Sequence, residues 1–264
     1  MKGVLIYKLQ LYYKDEYIRL FQGDCLEVMD RLIEKEIKFD AIITDPPYGT
    51  TQCKWDSIIP IDKMWERLNQ LVKDNTAILL FCSQPFTSVL GASNLKLLKY
   101  DIIWNKRKAG NFAQSNKQPL KIHEELLVFY KKQPTYNPQK IQLDKSQNRH
   151  KGKLSENRKD RKDAGGLGGQ IKYSDKYEPD KKLPTSIKEF KKDNYRGNIF
   201  HPTQKPVELI EYLINTYTNE NELILDFTCG SGTTLLAARN LKRKCIGIEL
   251  EEKYCEIAKN RLIA

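Results

Sequence analysis

The four consecutive residues Asp45, Pro46, Pro47 and Tyr48 have the chemistry to hold a planar amine. Each proline fixes φ and removes a backbone donor, so the loop presents carbonyl oxygens. Asp45 adds a carboxylate and Tyr48 a flat aromatic face. An exocyclic amine on a nucleobase requires this combination, because its two hydrogens need acceptors and its ring needs a stacking surface. A proline-rich turn after a core strand would explain the same four residues equally well.

A second motif, near the other end of the chain, favours ligand binding. An apolar run at 223–227 predicts a buried strand, the glycine-rich stretch 228–234 follows it, and 235–241 predicts a helix. In such a turn the glycines let the backbone approach a ligand, and the helix N-terminus offers N–H groups to a carboxylate or phosphate. A further strand, 244–248, ends at Glu249, about 20 residues after the glycines, where a ribose is bound in dinucleotide folds. Alone, Glu249 is better explained as a solvated residue that opens the next helix.

Together these motifs resemble the amino-methyltransferases of DNA, which methylate adenine N6 or cytosine N4 with S-adenosylmethionine. Residues 45–48 match the family's Asp-Pro-Pro-Tyr catalytic motif, and 226–232 match its Asp-Pro-Phe-x-Gly-Ser-Gly cofactor loop with Phe227 and Thr228 as departures. The stretches 23–25 and 201–206 resemble two further family segments. The resemblance implies a catalytic site at Asp45, Pro46, Pro47 and Tyr48. It also implies cofactor contacts at Asp24, Pro202, Thr203, Lys205, Asp226, Phe227, Thr228, Cys229, Gly230, Ser231, Gly232, Thr233 and Glu249.

The order of the motifs predicts the fold and the division of the chain. Because the catalytic motif precedes the cofactor loop, the resemblance implies the beta group of the family. We therefore expect an α/β, Rossmann-like methyltransferase fold that is circularly permuted, with a mostly parallel sheet. The predicted parts are a catalytic half (1–131), a target-recognition insert (132–198) and a cofactor-binding half (199–264). The last two strands and the strand at 18–21 should then lie side by side.

Hydrophobic periodicity supports alternating helices and strands in the first half. Apolar positions predict helices at 26–36 and 61–73, and a continuous apolar run predicts a buried parallel strand at 77–82. Two more strands are predicted at 100–104 and 125–130, as an antiparallel pair. Ligands of such sheets bind beyond the carboxyl ends of the strands, where both motifs lie.

The positive charge of the chain is concentrated in one segment. The net charge is +11, and residues 140–196 hold 17 Lys and Arg against 9 Asp and Glu. This segment has little apolar periodicity and contains four glycines within 165–169. A solvated, flexible insert would have this composition. It is also the electrostatic footprint of a protein that binds nucleic acid, and we therefore expect double-stranded DNA as the partner.

The remaining composition is that of a cytoplasmic enzyme. No apolar run approaches the roughly 18 residues of a membrane span, and residues 1–15 carry too many charges for a signal peptide. The six cysteines are scattered and the three histidines lie far apart, so we expect reduced thiols and no metal site.

These features predict transfer of a methyl group to N6 of a flipped adenine. Tyr48 would stack on the base, helped by Phe112 or Trp55, while Asp45 and the carbonyl of Pro46 accept the amine hydrogens. The same chemistry on cytosine N4 stays open, as do an RNA or protein substrate and a non-catalytic DNA-binding protein. The sequence leaves open a homodimer and a cognate restriction nuclease.

Overall fold

The computed structural model describes residues 10–49, 57–143, 180–192, 200 and 204–264. Trp55, Pro202 and Thr203, and most of the predicted insert, lie outside these described residues. The chain forms two compact units, one of residues 1–137 with 186–264 and the other of residues 138–185. The second unit lies within the segment predicted as the target-recognition insert, and that role remains a prediction.

The described residues form eleven strands and six helices. The strands are β1 (Gln10–Lys14), β2 (Ile18–Gln22), β3 (Phe39–Thr44), β4 (Val72–Cys82), β5 (Leu98–Asn105), β6 (His123–Phe129), β7 (Ile141–Gln142), β8 (Lys181–Lys182), β9 (Ile187–Glu189), β10 (Leu223–Asp226) and β11 (Lys244–Glu249). The helices are α1 (Cys25–Glu34), α2 (Ile61–Leu71), α3 (Phe86–Ser93), α4 (Val207–Tyr217), α5 (Thr233–Asn240) and α6 (Glu252–Ile263), with a 3₁₀ turn at Phe112–Gln114.

The larger unit contains a nine-stranded sheet in the order β1-β2-β11-β10-β3-β4-β6-β5-β9. The five strands from β2 to β4 in this order are parallel to one another, whereas β6 is antiparallel to β4 and β5. The predicted α/β fold and the predicted antiparallel pair are therefore confirmed. The last two strands lie beside β2, as the permuted order of the motifs requires. In the smaller unit, β7 and β8 form a separate pair.

Both faces of this sheet are covered by helices, which explains the continuous apolar runs in its central strands. Side chains of α4, α5 and α6 pack on one face, with Leu213 and Leu235 fully buried. Side chains of α1, α2 and α3 pack on the other face, with Met29 and Leu68 fully buried. In this three-layer core, the carboxyl ends of the parallel strands β2, β3, β10 and β11 all lie on the same side of the sheet. No described helix has the length and apolar character to cross a membrane.

The sequence prediction misplaced the boundary between α2 and β4, and it did not include β1, α3, α4 or the short strands β7, β8 and β9. Helix α2 ends at Leu71 because the backbone of Val72 is extended (φ −94°, ψ 151°), and β4 begins there, five residues before the predicted start. Strand β1 was not predicted. It is an edge strand whose residues are exposed or half-buried, so its sequence shows no apolar run.

Candidate active site

The two motifs meet at adjacent strand ends. Strand β3 delivers Asp45 and pairs in parallel with β10, which delivers the cofactor loop. The hydroxyl of Thr44 donates to Asp226 Oδ1 (2.7 Å) and lies 2.8 Å from the hydroxyl of Thr228. Thr228 Oγ1 in turn donates to the backbone carbonyl of Asp45 (3.1 Å). Thr228, which departs from the family's motif, therefore links the cofactor loop directly to the catalytic loop.

A cavity of about 270 Å³ opens where these strands end. Its lining includes all four residues of the catalytic motif and most of the predicted cofactor contacts: Asp24, Lys205, Asp226, Phe227, Thr228, Cys229, Gly230, Ser231, Thr233 and Glu249. The sequence prediction thus brought together residues that are up to 225 positions apart along the chain. Pro202 and Thr203 lie outside the described residues, so their predicted contacts stay predictions.

The carboxylate of Asp45 has a partner on each oxygen. The Tyr48 hydroxyl donates to Oδ1, and the ammonium of Lys205 donates to Oδ2. Burial raises the pKa of Asp45, an effect that Lys205 opposes. Burial also raises the pKa of Tyr48 well above its ordinary value, so its hydroxyl keeps its proton. The ring of Tyr48 stacks on Phe86 (centroids 5.5 Å apart, planes at 26°), which fixes one face of the predicted base-stacking residue.

Lys205 lies nearer the catalytic motif than the sequence indicated. The ammonium pairs with Asp45 and lies 3.3 Å from Glu124 Oε2, and the cofactor contact that the resemblance implies for Lys205 stays a prediction. Sequence reasoning missed Glu124, which lies on β6, and Phe86, which begins α3. Neither residue stands in a recognisable local motif. Phe112, predicted to help Tyr48, is 65% exposed in the 3₁₀ turn and outside the residues that line the cavity.

The glycine loop has the shape expected of a cofactor cradle. Gly230 and Gly232 adopt positive φ (50° and 77°), and a Cβ at Gly232 would lie 2.7 Å from the Cβ of Ala258. Arg261 supports the loop, since its guanidinium donates to the carbonyl of Ser231 (2.6 Å) and to Thr233 Oγ1 (3.1 Å). The loop is therefore held in one conformation ahead of α5.

Glu249 closes the far end of the cavity. One carboxylate oxygen accepts from the backbone N–H of Gly230 (2.9 Å) and the other from that of Glu251 (2.8 Å). Burial raises the pKa of Glu249 to about 7 despite these hydrogen bonds. Each oxygen keeps a second lone pair, so the carboxylate can also accept from ribose hydroxyls. The N–H of Gly230, in contrast, is already bound within the protein.

Asp24 and Asp226 have structural partners as well as places in the cavity wall. Asp24 caps α1 by accepting from the backbone N–H groups of Leu26 (2.8 Å) and Glu27 (3.2 Å). Asp226 is 4% exposed, and burial raises its pKa to about 6, an effect that hydrogen bonds from Thr234 and Thr44 oppose. Both carboxyl groups therefore shape the cavity, and their predicted contacts with the cofactor remain predictions.

This fold and cavity define an α/β methyltransferase with a permuted order of motifs, and comparison with known proteins gives the family. The DNA methylase family of N6 and N4 methyltransferases matches residues 39–260. The chain belongs to this family and is a DNA methyltransferase that uses S-adenosylmethionine. The size of the cavity, the positive-φ glycines and the carboxylate of Glu249 fit that cofactor.

Individual relatives align over most of the chain. It is 26% identical to the Type II methyltransferase M1.MboII of Moraxella bovis over 262 residues, which cover 90% of this chain and 94% of that protein. It is also 26% identical to M.HpaI of Haemophilus parainfluenzae, over 92% of this chain and 74% of that protein. The crystal structure of M1.HpyAVI with S-adenosylmethionine is 28% identical, with a TM-score of 0.64 over 94% of this chain and all of that one. PvuII DNA methyltransferase, cytosine-N4-specific, shares the fold (TM-score 0.69, 16% identity, 97% of this chain and 90% of that one).

Proposed function

We propose that this enzyme methylates N6 of adenine at a specific site in double-stranded DNA. The observation that carries the proposal is the Asp45 carboxylate, which lies half-buried in the wall of the cavity, while the backbone carbonyl of the same residue accepts a hydrogen bond from Thr228 in the cofactor loop. A carboxylate there accepts a hydrogen from an exocyclic amine. Asp at the first position of the motif, in a chain of this motif order, favours adenine over cytosine by the resemblance described above.

The residues of the site would activate the amine by orienting it. The lone pair of N6 is delocalised into the base, so the nitrogen is a poor nucleophile in the free nucleotide. Asp45 and the Pro46 carbonyl would accept its two hydrogens and favour a pyramidal nitrogen whose lone pair points into the cofactor cavity. Bound in this cavity, S-adenosylmethionine would supply the methyl group from its sulfonium, with the N–C bond forming as the C–S bond breaks. Asp45, whose pKa burial raises, is placed to accept the proton that the nitrogen then loses.

The depth of the site requires the target base to leave the duplex. Asp45 and Tyr48 line a concave cavity, and an amine inside a base stack could not reach them. Flipping costs a few kcal/mol, and stacking on Tyr48 would offset part of it. Phe86 holds the opposite face of that ring, so Tyr48 is already oriented before DNA binds.

The test is incubation of the protein with unmethylated duplex DNA and S-adenosylmethionine, followed by mass spectrometry of the nucleosides. N6-methyladenine is the expected product. N4-methylcytosine would preserve the mechanism and overturn the choice of base. No methylated nucleoside, despite measurable cofactor binding, would overturn double-stranded DNA as the substrate and favour an RNA, a protein or a non-catalytic role.

The relatives, which are named as Type II methyltransferases, support a place for the enzyme in restriction and modification. We propose that the enzyme protects its own recognition site from a partner nuclease and that it works in the cytoplasm. DNA isolated from cells that express the protein should then carry the methyl mark at a single sequence motif. Methylation without sequence preference would contradict this role.

A further inference from the structure

A buried group of charges surrounds the catalytic carboxylate. Lys205 lies between two carboxylates, hydrogen-bonded to Asp45 and 3.3 Å from Glu124 Oε2. Glu124 Oε1 accepts a hydrogen bond from Lys106 (3.0 Å), which follows β5. The side chain of Lys205 is 7% exposed and that of Glu124 is 16% exposed, so water screens these charges weakly.

The two carboxylates that flank Lys205, those of Asp45 and Glu124, differ in the hydrogen bonds that they accept. Among the described residues, Glu124 Oε2 is buried and accepts no hydrogen bond, although it faces the Lys205 ammonium. Asp45, in contrast, has Tyr48 on one oxygen and Lys205 on the other. The Lys205 ammonium therefore occupies an oxygen of Asp45 that the target amine would need as an acceptor. The carboxylate of Glu124 lies within reach of the same ammonium. Glu124 Oε2 faces the ammonium at 3.3 Å without a well-aligned hydrogen bond, so a site for the ammonium is already prepared at Glu124.

We propose that Glu124 is a positioning residue for methyl transfer, which draws the Lys205 ammonium from Asp45 when the target amine binds. This inference rests on the proposed function of Asp45 as the acceptor of the amine. With the ammonium on Glu124, Asp45 Oδ2 is free to accept from the base, and Lys205 remains close enough to keep Asp45 ionised. Nothing in this step changes covalent bonds; one hydrogen bond replaces another.

The protonation states agree with this arrangement. Burial acts to raise the pKa of Glu124, but Lys205 and Lys106 lower it to about 2, so Glu124 is an anion at neutral pH. Burial acts to lower the pKa of Lys205, but Asp45 and Glu124 raise it, so Lys205 is a cation. Among the described residues, the charged or titratable groups that face Asp45 or its ion partners are Tyr48, Cys82, Lys106, Glu124, Lys192, Lys205 and Asp226.

Glu124→Gln tests the inference because it keeps the shape of the side chain and removes its charge. Lys205 should then stay on Asp45, and kcat should fall roughly ten- to hundredfold, the cost of a charged hydrogen bond. Removing this anion should also move the acidic limb of kcat/KM for DNA to lower pH. The profile is measured at saturating S-adenosylmethionine, so that titration of Glu249 does not enter it.

Lys205→Met should have the opposite effect on the pH profile. Without the ammonium, burial and Glu124 raise the pKa of Asp45 further, so the acidic limb should move to higher pH. In the double variant, Glu124→Gln should cost little additional turnover, because no ammonium remains to be moved. Additive losses, or limbs that move in the same direction, would overturn the inference.

A neighbouring ion pair supplies the control. Glu125, the residue after Glu124 on β6, pairs at 3.4 Å with Lys121, which precedes the strand, and Lys121 also donates to Ser83 (2.7 Å). Lys121→Met and Glu125→Gln should leave the acidic limb in place. Thermal unfolding and cofactor affinity of each variant separate misfolding from loss of positioning. A wild-type enzyme that methylates no DNA would overturn the proposed function itself, whereas a cytosine product would leave this inference testable.

Discussion

Asp45 is the residue on which the proposed reaction depends most directly. Asp45→Asn should reduce turnover to background, because an amide has one acceptor oxygen where the carboxylate has two, and no negative charge. Affinity for S-adenosylmethionine should stay within about twofold, since no hydrogen bond joins the Asp45 side chain to the glycine loop. Transfer of a labelled methyl group and calorimetric titration measure the two quantities. Asp101→Asn, exposed on β5, is the control; full turnover in Asp45→Asn would contradict the mechanism.

Because the pKa of Glu249 is raised to about 7, we expect cofactor binding to depend on pH. Its pKa of about 7 in the free protein means that it is mostly protonated at pH 6 and mostly ionised at pH 8. A carboxylate accepts from ribose hydroxyls better than a carboxylic acid does, so binding should favour the ionised form. Affinity should therefore rise about tenfold from pH 6 to pH 8.

The variant Glu249→Gln tests whether Glu249, rather than another group, causes this pH dependence. Asp226, with a pKa of about 6, titrates in part of the same range. Glu249→Gln should abolish most of the rise in affinity, and equilibrium dialysis at several pH values measures it. If the rise persists in this variant, Asp226 or the cofactor itself is its source, and the ribose contact of Glu249 is wrong.

Among the elements, the turn between β10 and α5 has the strictest requirements. At Gly232, φ is 77° and an added Cβ would meet both the side chain and the backbone of Ala258 in α6. Gly232→Ala should therefore destabilise the protein by about 1–3 kcal/mol and weaken cofactor binding, since either the turn or α6 must move.

The chain offers a matched control for this substitution. Gly110 lies in the loop after β5, has no positive φ, and an added Cβ there would meet nothing within 4 Å. Gly110→Ala should change the free energy of unfolding by less than about 0.5 kcal/mol. Urea denaturation of both variants measures the difference. Equal stabilities would mean that the turn adapts and that its glycine is needed for another reason.

The elements also show which parts of the site a sequence can reveal. Asp45 and Gly230 stand in local motifs, so their types and spacing were sufficient to predict them. Glu124 is 79 residues from Asp45, and its role depends on β6 pairing with β4, which no local pattern encodes. Thr228 was read as a departure from the motif. Its hydroxyl bond to Asp45 depends on the pairing of β3 with β10, a contact between distant segments.

At the scale of the whole molecule, the permuted order of motifs has a simple structural basis. Strands β10 and β11 lie between β2 and β3 in the sheet. Two strands from the end of the chain therefore separate two strands from its beginning. Between the two halves, the chain leaves the larger unit after residue 137 and returns to it at residue 186, and residues 138–185 form the second unit within the predicted insert (132–198). The target-recognition role predicted for this segment would let DNA recognition vary without changes to the catalytic sheet.

The charge distribution gives a prediction for DNA binding by the whole enzyme. Residues 140–196 contain most of the excess positive charge, and each Lys or Arg that contacts a phosphate should contribute about −0.9 to the slope of log affinity against log salt. Replacing four of these residues by glutamine (Arg158, Lys159, Arg161 and Lys162) should make this slope shallower, with cofactor affinity unchanged.

The control for this experiment removes the same charge from the amino ends of the central strands, which lie opposite the carboxyl ends that border the cavity. Lys35, Lys38, Lys73 and Lys244 lie at or before the amino ends of β3, β4 and β11, away from the cavity. Their replacement by glutamine lowers the net charge equally and should leave the slope nearly unchanged, because long-range attraction is screened beyond about 10 Å at 0.1 M salt. Fluorescence anisotropy of a labelled duplex at several salt concentrations measures both slopes. Equal changes in the two variants would mean that net charge, rather than contact by the insert, attracts the DNA.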